Sequence, residues 1–115
     1  MSRLAHRGSA AERQATAPVF AALGDETRLA LIAKLSAGQR RSISQLARDS
    51  TISRQAITKH LRVLEQAGIV RSTRAGRESQ FALDPQPIEE LRGYLTRVSE
   101  HWDSALSRLR SFVER

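Results

Sequence analysis

The segment from Arg40 to Gln80 constrains this chain more than any other. It opens with Ser42-Ile-Ser-Gln-Leu-Ala-Arg48 and turns at Asp49-Ser-Thr-Ile52. It then runs through Ser53-Arg-Gln-Ala-Ile-Thr-Lys-His-Leu-Arg-Val-Leu-Glu-Gln-Ala-Gly68. Ser42 and Gln45 have the Ser-x-x-Gln spacing of a capping box, which satisfies two orphan amides at a helix start. Leu46 and Ala47 follow as the inward face of a short helix. Ser53 caps a longer one, and Gly68 sits just past its end. Within it Ile57, Leu61 and Leu64 recur at spacings of four and three and turn inward, leaving Arg54, Gln55, Thr58, Lys59 and Arg62 outward. Val70 to Arg74 and Glu78 to Leu83 then alternate as a hairpin around Ala75-Gly76-Arg77, with Phe81 and Leu83 on the covered side.

Short helix, turn, longer helix and a ribbon with an arginine-rich tip: this is the order of a winged helix-turn-helix, which presents one helix to the major groove of DNA. The charge falls on the same stretch. Residues 40–77 hold nine basic groups, eight Arg and Lys59, against Asp49 and Glu65. That balance of +7 equals the net charge of the whole chain, so the flanking segments sum to zero. A basic excess placed there would neutralise phosphates and release counterions.

A length of 115 residues leaves room for one compact domain and little else. With no cysteine, disulfides, thiolate metal sites and thiol redox chemistry are excluded together. No apolar run approaches the ~18 residues of a membrane span. Arg3 and Arg7 precede no apolar stretch, so no signal peptide is expected and the protein should stay in the cytoplasm beside DNA. No phosphate loop, nucleophile elbow, paired-carboxylate site or metal triad is found, which argues against an enzyme. No cofactor is expected.

Around the reading module, residues 1–15 are polar, small and alanine-rich and are expected to form a mobile arm, with 16–115 as the winged helix domain. Thr16 is expected to cap a first helix over 17–23, with Pro18 in its first turn and Gly24 as its stop. Asp25 caps a second over 26–36, with Leu31, Ile32 and Leu35 buried. Further helices are expected at 43–50, 53–67 and 87–113, with the hairpin at 69–83, so the fold is mainly α with one small β-hairpin. In the last helix Ile88, Leu91, Leu95, Val98, Trp102, Ala105, Leu109 and Phe112 follow alternating steps of three and four, a heptad seam for a homodimer. Tyr94, Leu106 and Val113 widen that stripe. Gly93 either weakens the helix by about 1 kcal/mol relative to alanine or admits a close neighbour.

From about Val19 to Glu114 the chain resembles the ArsR-type (arsenic-repressor-like) bacterial transcription regulators. The carrying residues are Phe20-Ala-Ala-Leu-Gly-Asp-Glu-Thr-Arg28, Ser53-Arg-Gln-Ala-Ile-Thr-Lys-His-Leu61, Leu64-Glu-Gln-Ala-Gly-Ile-Val-Arg71 and Gly76-Arg77. The tail from Leu83 through Trp102 to Leu109 looks like a cysteine-free branch of that family. The resemblance implies a nucleoid-associated homodimeric repressor of a two-fold symmetric operator. Its first and last helices would build the dimer, from Phe20, Leu91, Leu95, Val98, Trp102, Leu106 and Leu109.

On this reading Arg54, Gln55 and Thr58, in the first turn and a half of the recognition helix, read bases; Arg binds guanine bidentately and Gln adenine. Lys59 and Arg62 hold phosphate. Ser42, Ser44, Gln45 and the cap residue Ser53 lie where they would meet the backbone, though capping alone also explains Ser42. Arg74 and Arg77 are expected at a minor groove, where narrow A·T tracts concentrate negative potential. His60 fits either DNA contact or packing. The cysteine pairs and the Asp-x-His with His-x-x-Glu of the family's metal sensors are absent; Glu100, His101 and Asp103 have the reverse order. Two further readings stand beside the DNA-binding one: a metal-responsive repressor, and a winged-helix module that binds a protein or RNA. The operator and any effector are not specified by the sequence.

Overall fold

In the computed structural model, which describes residues 9–48 and 50–114, five helices alternate with a three-stranded sheet. They run α1 (Ala10–Leu23), α2 (Glu26–Leu35), β1 (Arg41–Ser42), α3 (Ile43–Ala47), α4 (Arg54–Gln66), β2 (Val70–Ala75), β3 (Glu78–Leu83) and α5 (Gln86–Val113). The expected winged helix is present. None of the helices among the described residues is long and apolar enough to cross a membrane.

The first helix departs from expectation. It starts at Ala10, capped by Ser9, whose hydroxyl accepts from the Glu12 amide at 3.2 Å. Thr16 is mid-helix and donates to the Glu12 carbonyl at 2.6 Å, and Pro18 is interior. Residues 10–15 of the expected arm are therefore helical, and residues 1–8 lie outside the described residues. The alanine content explains the extension, because alanine is the strongest helix former and Glu12 complements the first-turn dipole. Pro18 forgoes only its own hydrogen bond, on an exposed face.

The core is assembled around α4. Among the described residues seven large side chains are fully buried, and three of them, Ile57, Leu61 and Leu64, come from this one helix. Each is worth roughly 1.5–3 kcal/mol on burial, so α4 is held rigidly from behind against Leu31 and Leu35 of α2, Leu46 of α3 and Phe81 of the sheet. Its end is a Schellman turn. The amide of Ile69 donates to Leu64 and that of Gly68 to Glu65, both at 2.9 Å, with Gly68 at φ +78°.

Ser42 and Gln45 make the expected capping box at the start of α3. The strand β1, two residues long, was not expected; it pairs antiparallel with Phe81 and Gln80, giving the order β1-β3-β2. The wing pairs Val70 with Leu83 through Ala75 with Glu78. Its loop is Gly76-Arg77, with positive φ at Gly76 alone, as a type II′ turn requires. After Asp84, whose side chain accepts from the Gln86 amide, α5 crosses back over α1.

Candidate nucleic-acid interface

The burial of one stripe of α4 fixes which residues its other side shows. Arg54, Gln55, Lys59 and Arg62 are exposed. Thr58 is half-buried and donates its hydroxyl to the Arg54 carbonyl at 2.8 Å. Ser53 is exposed and caps the helix, accepting from the Ala56 amide at 3.1 Å. A single notch brings Ser44, Arg54, Arg77 and Ser79 together, so the starts of α3 and α4 and the wing tip share one surface; Glu78 borders it. Ser79 has no part in the sequence pattern, because only the hairpin pairing brings it beside Arg54.

The wing is fastened to the body on its far side. Ser72 donates to Glu65 of α4 at 2.6 Å, and Arg71 pairs with Asp84 at 2.8 Å. The Gln86 amide, then the Arg71 side chain, hold the Asp84 carboxyl below its ordinary value. Arg74 and Arg77 are exposed near the tip.

Three expected site residues have partners within the chain. Ser42 is only 4 % exposed and its hydroxyl accepts from the Gln45 amide, so it caps α3 at the base of the same notch. The Gln45 side-chain oxygen is likewise occupied by the Ser42 amide at 2.8 Å, leaving its exposed amide nitrogen for other partners. His60 is half-buried on the inner flank of α4, with Nδ1 3.2 Å from the Arg28 guanidinium and 3.7 Å from Asp25.

Arg28 lay inside the family-like stretch with no role attached. It donates to the carbonyls of Ala22 at 2.6 Å and Ala21 at 3.3 Å, capping the end of α1 while touching α4. Its own amide is capped by Asp25, whose carboxyl that bond holds below the ordinary value, with desolvation opposing. An arginine three residues after the Gly24-Asp25 helix break is the sequence signal for such a cap.

The expected pairing stripe is split by burial. Leu91 is 7 % exposed, covered within its own chain beside α1, so it belongs to the subunit core and not to a contact between copies. The cause is the longer α1, which reaches the start of α5. Phe20 packs edge-on against Tyr94 with ring centroids 6.4 Å apart, yet keeps 42 % of its surface exposed. Val98 is half-buried. Leu95, Trp102, Leu106 and Leu109 are exposed, as are Phe112 and Val113 beyond them.

Comparison with known proteins follows the same outline. Residues 23–73 match the family model described as a helix-turn-helix domain. The HTH-type transcriptional regulator Rv2034 of Mycobacterium tuberculosis is 37% identical over 86 residues, which is 75% of this chain and 77% of that protein. The HTH-type transcriptional regulator YuzN of Bacillus subtilis is 38% identical over 79 residues, 64% of this chain and 86% of its own. An ArsR-like transcriptional regulator from Rhodococcus sp. RHA1 has the same fold, with a TM-score of 0.76 and 36% identity over 86% of this chain and 92% of that one.

Proposed function

The chain belongs to the ArsR-like helix-turn-helix transcriptional regulators, which are DNA-binding proteins and not enzymes, and from that premise we propose that it is a homodimeric repressor of a two-fold symmetric operator. The observation that carries this reading is the two-sidedness of α4. Its apolar stripe is locked into the core while Arg54, Gln55, Lys59 and Arg62 stand free on the other side. Arg54 and Gln55, in the first turn after the cap, read base edges; Lys59, Arg62, Ser44, Ser53 and the Gln45 amide hold phosphates; Arg74 and Arg77 enter the minor groove.

Pairing of two copies is supported by the outer half of α5. Trp102 is 61 % exposed and Leu106 57 %, in a continuous apolar row that a monomer would not leave in water. A second copy covers it, with Phe20 at its edge. Such a dimer works on the bacterial nucleoid, and two recognition helices bound across a promoter exclude polymerase from it.

Footprinting on a genomic fragment selected by the protein itself tests the proposal. Two protected half-sites, roughly 10 base pairs apart centre to centre or twice that, are expected. A single asymmetric half-site would overturn the dimeric reading. Equal affinity for all fragments would overturn operator recognition and favour a module that binds protein or RNA.

A further inference from the structure

We propose that the cleft between α1 and α5 is a regulatory site for a small apolar amine, which binds by replacing Arg97 as the partner of Glu12. The cavity measures about 340 Å³, within the range of about 300–1,000 Å³ typical of small-molecule sites. Its walls are aliphatic: Val19 on α1 faces Pro87 and Leu91 on α5, and Gly93 leaves part of the α5 wall without a side chain. The floor is ionic. The Arg97 guanidinium pairs with Oε2 of Glu12, joining the two helices.

Glu12 keeps a second carboxylate oxygen, Oε1, beyond the one that meets Arg97. An ammonium group has three donors and can serve both carboxylate oxygens at once. Arg97, with a side chain 36 % exposed, can then turn out to water and regain hydration. The charge selects the same ligand. Glu12 and Glu90 against Arg97 give the cleft a net charge of −1, which favours a cation over a neutral or anionic molecule of equal shape.

The cleft lies apart from the proposed pairing stripe. At roughly 100° per residue, Gly93 and Arg97 stand roughly 140° or more, and Glu90 roughly 120° or more, around α5 from Leu95, Trp102 and Leu106. A second copy on that line leaves the cleft open. Occupancy also has a route to the recognition helix. Loosening the Glu12–Arg97 pair frees α1 from α5, and the far end of α1 is held by Arg28, whose guanidinium also touches His60 of α4. This regulatory half rests on the DNA-binding reading above.

Titration of the full-length ¹⁵N-labelled protein with benzylamine, toluene and benzoate tests the proposal. Benzylamine is expected to shift the amides of Ala15, Thr16 and Gly93 saturably, with toluene at least tenfold weaker and benzoate without effect. Saturating benzylamine should weaken binding to the selected genomic fragment at least threefold. Glu12→Gln should erase the preference for benzylamine over toluene. Gly93→Leu should abolish both, because its Cβ meets only the Arg97 guanidinium, at 3.5 Å, and the rest of the side chain enters the cleft. Circular dichroism of each variant confirms that it folds. No saturable shift at those three amides up to millimolar benzylamine, or equal binding of benzoate, would overturn the site. Saturable binding with unchanged DNA affinity would overturn its regulatory role. The ligand-free DNA affinity, measured alongside, judges the DNA-binding reading separately.

Discussion

Arg28 Nη1 lies 3.2 Å from His60 Nδ1, which joins the start of α2 to the recognition helix. The same guanidinium caps two carbonyls of α1. Arg28→Ala should therefore cost about 1–3 kcal/mol in urea unfolding by leaving those acceptors unpaired. Arg28→Lys should recover less than half of the loss, since an ammonium on a flexible stem cannot reproduce the planar fork.

Acid should destabilise the protein through Asp25 and Asp84. Both carboxyls lie below the ordinary value of 3.8, held there first by the amides of Arg28 and Gln86 respectively. A carboxyl lowered on folding contributes fully above its unfolded value, and the contribution fades as pH falls through the folded one. Melting temperature should be level near pH 6 and drop from about pH 4 downwards. The double variant Asp25→Asn, Asp84→Asn should melt lower at pH 6 and show a shallower fall below it.

The sequence carried these elements unevenly. The Ser42–Gln45 capping box, the Ile57–Leu61–Leu64 stripe and the Gly76 turn are local patterns, and each stands in the fold at its expected place. The strand β1 is two residues long, too short for any alternation to register. The start of α1 was misplaced because Gly8 and Ser9 resemble a loop and Pro18 resembles a first turn, whereas alanine outweighed both. The surroundings of Ser42, His60 and Leu91 were not legible for one shared reason: whether a residue on a helix flank meets solvent or a neighbour depends on packing partners far away in sequence, here Gln80 across from β1, Arg28 in α2 and the long α1.

Burial separates two leucines that the heptad pattern treats alike. Leu91→Ala should cost about 2–5 kcal/mol of subunit stability, as for other core leucines. Leu106→Glu should abolish pairing and lower the unfolding midpoint only to that of the unpaired wild-type subunit. Sedimentation velocity reads the loss of pairing; a Leu106→Glu protein that still sediments as a dimer would place the interface elsewhere.

Reading and holding should separate by mutation. Arg54→Ala or Gln55→Ala should lose about 1–3 kcal/mol on the operator and relax base preference at one position per half-site. Lys59→Ala and Arg77→Ala should weaken operator and random DNA alike, each lowering the salt dependence by about one unit. A larger change in base preference from Arg77→Ala than from Arg54→Ala would make the wing the reader.

Gly68 tests the junction between α4 and the wing. At φ +78° an added Cβ meets only Pro87 Cγ, at 3.7 Å, so the cost of Gly68→Ala is backbone strain and not a clash. Thermal unfolding should show a loss of about 1–2 kcal/mol.

Past Val98 every residue of α5 except Ala105 is exposed, so this half of the helix has no core of its own. A helix of this kind is marginal in water unless something packs on it. In an unpaired copy it should unravel from Val113 backwards while the winged part stays folded, and ellipticity at 222 nm should fall on dilution. With the proposed pairing, partnership and lifetime should become one quantity: a paired molecule should hide this end, whereas a surplus single copy should offer degradative enzymes an unstructured tail to grip, so that abundance follows what can pair.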